Sequence, residues 1–191
     1  MKTRLFWVRH GPTHADGIVG WADLPADLSD TARVARLDAH LPRQAMLVSS
    51  DLSRAAATAD ALGEGRTRLP HDPALRELHF GDWDLKAPDD IDDQARYQAF
   101  WDHPGEVRPP SGETWPELAA RAGAATDALI AAHPGTDLVI VAHLGVILTQ
   151  VQRARDLTAT EAFSHSVAPL SVTELHHAPS GWYVAGINHT P

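Results

Sequence analysis

The chain has 191 residues, 43% apolar and 21% charged, a composition that excludes a disordered segment and leaves room for one sizeable core. Without cysteine it holds no disulfide, thiolate metal site, iron–sulfur cluster or thiol nucleophile, and a reducing cytoplasm is the expected compartment. A formal net charge of −9 argues against nucleic acid as a partner, so an anion site needs its own local cluster of positive charge.

Met1–Arg4 runs into the apolar stretch Leu5-Phe6-Trp7-Val8, which is too short for a signal-peptide core and has no cleavage site behind it. No stretch approaches the roughly 20 apolar residues of a membrane span, so no membrane partner is expected. Thr3–Val8 reads as a buried strand. Residues 11–28, rich in Gly, Pro and Asp, read as a long loop of the kind that carries function. Ser29-Asp30 caps a helix to about His40, with Val34, Leu37 and Leu41 on one face. Ala45–Ser49 is a second strand, followed by an alanine-rich helix from Asp51 to Leu62 that Gly63 ends.

Residues 67–92 read as irregular, and helical patterning returns near Asp93–Asp102. After Pro109-Pro110-Ser111-Gly112 a long helix, Trp115–Ala132, is closed by His133-Pro134-Gly135. Leu138–Ala142 is the most apolar strand, and Gly145–Ala154 is the helix behind it. Ser171–His177 and Tyr183–Asn188 alternate like an antiparallel pair around Ala178-Pro179-Ser180-Gly181. Strands alternating with helices predict an α/β three-layer sandwich: a mostly parallel central sheet with helices on both faces, residues 1–191 forming one domain.

In open α/β sheets ligands bind beyond the carboxyl ends of the strands. Three strands deliver chemistry there: Arg9-His10-Gly11, Ser49-Ser50-Asp51-Leu52-Ser53-Arg54, and His143-Leu144-Gly145. Two arginines and two histidines on one edge of an acidic chain form a concentrated anion site. Guanidiniums suit a phosphoryl group, whose equatorial oxygens carry the charge during transfer. A neutral imidazole is a competent nucleophile, and neighbouring arginines would keep His10 neutral. His143 takes the opposite part: beside a phosphate dianion its charged form is favoured and donates to a phosphoryl oxygen. Backbone N–H groups following His143 are further candidate donors. Glu77, in Leu75-Arg76-Glu77-Leu78-His79-Phe80-Gly81-Asp82-Trp83, is the candidate proton donor, with a pKa raised by apolar surroundings. The bland reading of Glu77 is a surface carboxylate paired with Arg76.

These motifs, in this order, resemble those of the histidine phosphatase superfamily, the phosphoglycerate mutase-like clan that includes α-ribazole phosphatases and fructose-2,6-bisphosphatases. The resemblance covers nearly the whole chain. It implies that His10 is the phosphorylated histidine, Arg9 and Arg54 its phosphate ligands, Glu77 the acid/base and His143 the second histidine. Ser111-Gly112-Glu113-Thr114 resembles the turn before the long helix. Pro12 stands where the family often has glutamate, Asp16 about where many members have asparagine, and Leu144 where they have glycine. Asp16 is therefore not assigned as a phosphate ligand.

The resemblance implies a metal-independent phosphomonoesterase with no cofactor, acting on a small-molecule phosphate monoester. Thr13, Gly20, Trp21 and Leu144 are the candidate substrate contacts. His10 and His14, four apart, also have the spacing of a metal pair, against which Pro12 and Arg9 argue. A phosphoglycerate mutase-type phosphotransferase is the alternative activity, and a non-catalytic phospho-ligand-binding module on the same fold the alternative class. Residues 82–93 hold six Asp and one Lys, and this acidic rim points to a leaving group that is neutral, polar or cationic. Aromatic residues near 97–101 read as a homodimer contact or a lid.

Overall fold

In the computed structural model, which describes residues Met1–Pro191, the first apolar run forms strand β1 (Thr3–Arg9), one residue longer than its pattern predicts. It lies between β4 (Asp137–Ala142), to which it is parallel, and β5 (Val172–Ala178), to which it is antiparallel. Strand β2 (Ala45–Ser49) pairs with the other side of β4, and a two-residue strand β3 (Thr67–Arg68), absent from the sequence reading, completes that edge. Strand β6 (Gly181–His189) pairs with β5 across the expected tight turn. The six-stranded sheet thus runs β3-β2-β4-β1-β5-β6, with its first four strands parallel.

Central strands buried on both faces need unbroken apolar runs, and β1 and β4 have them. Side chains alternate between two cores. Leu5, Trp7, Leu138 and Ile140 face the larger one, against α3 (Gln94–Asp102), α4 (Trp115–Ala132), α5 (Leu144–Arg155) and α6 (Ala159–Phe163). Phe6, Val8, Val139 and Val141 face the smaller one, against α1 (Thr31–His40) and α2 (Ser53–Ala61). This gives the three layers expected.

The departures are local. Helix α2 begins at Ser53, and Asp51, left outside it, pairs with Arg76 through both carboxylate oxygens at 2.6–2.8 Å. Segment 67–92 contains three short 3-10 turns, at Pro73–Leu75, Gly81–Trp83 and Pro88–Asp90. Phe100 is buried in the larger core, so only Trp101 of the 97–101 pair is exposed. No helix is long and apolar enough to cross a membrane.

Candidate active site

Strand register builds the first half of the site. β1 and β4 are parallel neighbours with Arg9 opposite Ala142, so their next residues, His10 and His143, leave the same sheet edge side by side. The His10 backbone N–H donates to the Ala142 carbonyl at 3.1 Å, and the two rings meet edge to face with centroids 5.0 Å apart. β2 ends at the same edge, and the first turn of α2 points Arg54 back beneath it. Arg54 is 1% exposed, and its Nε donates to His10 Nε2 at 3.2 Å. His10 Nδ1 lies 2.6 Å from the Gly11 carbonyl and donates to it. The Nδ1–H tautomer follows, with the Nε2 lone pair turned toward Arg54.

Burial and then the charge on Arg54 push the His10 pKa down to about 3, against the weaker effect of Gly11. The ring is therefore neutral at any ordinary pH. His143 is fully buried, neither ring nitrogen has a protein partner, and its pKa is driven well below the usual histidine range, first by burial and then by His10 and the arginines. Without a dianion beside it His143 is neutral as well, so the charged form expected from sequence requires the phosphate itself. Arg9 uses one guanidinium nitrogen on the Val167 carbonyl at 2.7 Å, while its buried Nε has no protein partner.

Glu77 supplies the second half. It is 7% exposed, and burial raises its pKa. That shift is opposed by hydrogen bonds from the Leu78 and Gly145 N–H groups, at 2.9 and 3.0 Å to Oε1, and by Arg54 and Arg9. Its bland pairing with Arg76 does not form, because Arg76 is taken by Asp51. The Gly145 N–H is likewise committed to Glu77 and not to an incoming anion. Arg9, His10, Thr13, Glu77, Leu144 and Gly145 are among the residues that line a cavity of about 290 Å³.

The sequence model of the histidine phosphatase superfamily (branch 1) matches residues 5–190. The chain belongs to that superfamily. It is 38% identical over 160 residues to a glucosyl-3-phosphoglycerate phosphatase of Mycobacterium tuberculosis, covering 75% of this chain and 71% of the relative. It is 30% identical over 173 residues to the adenosylcobalamin/alpha-ribazole phosphatase of Salmonella typhimurium, covering 86% and 85%. Among solved structures, Bacillus stearothermophilus YhfR superposes with a TM-score of 0.91 at 28% identity, over 99% of this chain and 98% of that one.

Within this histidine phosphatase, the four candidate substrate contacts separate. Thr13 and Leu144 line the cavity; Gly20 and Trp21 do not. The Gly20 carbonyl accepts from Arg54 at 2.6 Å, and a Cβ at this position would sit 2.6 Å from the Leu78 carbonyl oxygen, so the loop approaches too closely for a side chain. Trp21 Nε1 donates to the Glu77 carbonyl at 2.8 Å, and the Arg76 guanidinium lies over its ring. Both act behind the site, one on Arg54 and one on Glu77. Leu144 opens α5 with His143 as its N-cap, and its backbone needs no left-handed conformation, which is why a side chain replaces glycine there without strain. Asp16 and His14 are exposed and outside the lining, and His14 pairs with Asp27 at 2.7 Å.

Sequence reasoning missed the residues that hold the irregular segments. Asp84 accepts from the Gly20 and Ala22 N–H groups at 2.8 and 2.7 Å. Arg121, from α4, donates to the carbonyls of Ala74, Arg76 and Glu77 while paired with Glu113. Glu113 in turn accepts from the His79 N–H at 3.0 Å. Only the spacing of Glu113 and Arg121 across the start of a helix could have hinted at this clamp; Asp84 resembles the solvated aspartates around it.

Proposed function

We propose that this histidine phosphatase hydrolyses a phosphate monoester in two steps through His10. The reaction class is that of the superfamily: phosphomonoester hydrolysis by way of a phosphohistidine. His10 Nε2 attacks phosphorus in line with the ester oxygen, forming the P–N bond as the P–O bond breaks. Glu77, whose protonated form burial favours, gives its proton to the departing oxygen, and the alcohol leaves. The phosphohistidine keeps its Nδ1 proton, and the Gly11 carbonyl that accepts it stabilises the positive charge arising on the ring. Glu77, now a carboxylate, takes a proton from water as the water oxygen attacks phosphorus. The P–N bond breaks, inorganic phosphate departs, and neutral His10 and protonated Glu77 return.

Arg54 and Arg9 carry the equatorial oxygens. Arg54 exchanges its bond to Nε2 for a phosphoryl oxygen when substrate arrives. His143, neutral until a dianion is present, then acquires a proton and becomes a further donor. The observation that carries this reading is the fixed tautomer of His10: Nδ1 donates to Gly11, so Nε2, which accepts from Arg54, is the one ring nitrogen with a lone pair to attack. Rapid quench with labelled monoester should trap an acid-labile, base-stable phosphoprotein whose label maps to His10. A label on His143, or activity abolished by EDTA, would overturn the mechanism.

Hydrolysis is preferred to mutase chemistry because Arg9 is the one cation in the lining. A mutase must also hold its substrate's second anionic group and return the phosphoryl group to it. Interconversion of 2- and 3-phosphoglycerate faster than monoester hydrolysis would reverse this preference. The cytoplasm is the proposed compartment, which the cysteine-free composition supports.

A further inference from the structure

Apart from Arg9, His10, Thr13 and Glu77, the cavity is lined by apolar residues and glycine. Its walls come from Ile18, Phe80, Trp101, Trp115, Leu148 and Phe163, brought together from the first loop, the segment after Glu77 and four helices. The aromatic rings form a continuous surface: Trp115 and Phe163 have centroids 4.4 Å apart, Phe163 and Trp101 6.0 Å, Trp101 and Phe80 6.3 Å. Even the polar atom of Trp115 turns away, its Nε1 donating to Gln152 at 2.6 Å. Arg9, His10 and Glu77 are the titratable residues of the lining, and all three belong to the phosphoryl end. Asp89, Asp90, Asp92 and Asp93, the acidic residues expected to shape the rim, are exposed and outside the lining.

We infer that the leaving group is the neutral, apolar alcohol or phenol of the monoester, a short alkyl chain or one or two rings, with no second charge. The inference rests on the phosphohydrolase reading above and narrows the neutral, polar or cationic leaving group expected from sequence to the neutral, apolar case. A second carboxylate or phosphate on the substrate would be stripped of water against aromatic and aliphatic walls with no cation to meet it. A cationic leaving group would find no carboxylate there except Glu77, whose proton the reaction needs. Size agrees: an apolar cavity of about 150 Å³ accommodates benzene, and this one has about 290 Å³. Trp101, 39% exposed, is the solvent-exposed aromatic residue of the lining.

The test uses n-alkyl phosphates from ethyl to hexyl, whose leaving alkoxides have nearly equal basicity, so that chain length changes apolar surface alone. Kcat/KM should rise at least twofold per methylene, toward a ceiling of about fourfold, and 3-phosphoglycerate should fall at least 100-fold below hexyl phosphate. A smaller slope, or 3-phosphoglycerate matching hexyl phosphate, overturns the inference. Trp101→Ala and Phe163→Ala should each flatten the slope, while Tyr183→Ala, an exposed β6 residue outside the cavity, should keep it. An unchanged slope in both wall variants also overturns it. Should Phe163→Ala fail to fold, Phe163→Leu and the wild-type series still decide. His10-dependent hydrolysis of p-nitrophenyl phosphate with a flat alkyl series defeats the apolar pocket and leaves the phosphohydrolase reading standing; no hydrolysis of any monoester defeats both.

Discussion

The two ends of the active site are held by different means. His10 and His143 stand where two parallel neighbouring strands stop, and Arg54 where a third strand turns into a helix, so the backbone ladder of a buried sheet sets their spacing. Glu77 sits in a segment with no ladder. Its position depends on Gly145 at its carboxylate, on Trp21 and Arg121 at its carbonyl, and on Glu113 two residues further on. His10, the proposed nucleophile, is thus part of the core, whereas Glu77, the proposed proton donor, is suspended from contacts made one at a time. Changes at the first end should abolish chemistry; changes at the second should grade it.

His10→Ala provides the sharpest form of that contrast. It removes the attacking atom, and kcat should fall by about 10⁴-fold or more, with no phosphoprotein on rapid quench. Retention of a tenth of wild-type activity on p-nitrophenyl phosphate would show that the ladder end is not where the covalent step occurs.

Glu77→Gln should cost about 10²- to 10⁴-fold on alkyl phosphates and less on aryl phosphates in the first step, since phenolates leave with little help. Breakdown of the phosphoenzyme still needs the base, so a nitrophenol burst followed by slow turnover should appear. The pH profile has a defined sign. His10 is neutral from about pH 3 upward and sets no limb near neutrality. Glu77 must be protonated in the free enzyme, so kcat/KM on alkyl phosphates should fall on the alkaline side, above the ordinary glutamate range because burial raises this carboxyl. A profile unchanged by Glu77→Gln would assign the proton elsewhere.

Gly145→Ala tests the suspension without replacing a reacting group. A Cβ there would lie 2.5 Å from Glu77 Oε1 and 3.1 Å from Leu118, so the carboxyl must move. Displacement of about an ångström is worth up to about 10²-fold in kcat, with KM little changed. The Gly145 N–H favours the ionised carboxyl, so loosening that bond should also move the alkaline limb upward. A fall in kcat with an unmoved limb would mark a packing defect in place of a lost positioning contact.

The same division governs what could be read from the sequence. β1, β4 and the residues that follow them were legible because an unbroken apolar run bounded by turn-formers is a local signal, and two parallel strands at one edge make their endings converge. β3 is two residues long and exists only because β2 offers it an edge. Helix α6 carries a signal that went unread, since Thr158 and Glu161 form a reciprocal capping box, but five residues show no periodicity. Trp21 and Gly20 were named as substrate contacts, but they lie outside the cavity lining and meet Glu77 and Arg54 instead. Whether an indole faces ligand or a carbonyl behind the ligand depends on a partner 56 residues away. The apolar wall was illegible for the same reason, being drawn from segments that only the finished fold unites.

The smallest expected effect bears on why the ladder end is reliable. A histidine held at a pKa of about 3 in the fold and near 6.5 when unfolded takes up a proton on unfolding at mildly acid pH. Its neutrality contributes nothing to pH dependence above 6.5. As pH falls below that value the unfolded chain gains protons that the native chain refuses, so stability is lost. By pH 5 the loss from His10 alone should be about 2 kcal/mol, or roughly 4–8 °C in Tm for a protein of this size. His10→Asn should therefore flatten the decline in Tm between pH 7 and 5 by about that amount, and adding His143→Asn should flatten it further, because His143 is depressed in the same direction. Calorimetry at a few pH values suffices. If the single variant tracks the wild-type slope, His10 titrates in the native state, and burial beside Arg54 at the sheet edge does not keep it neutral.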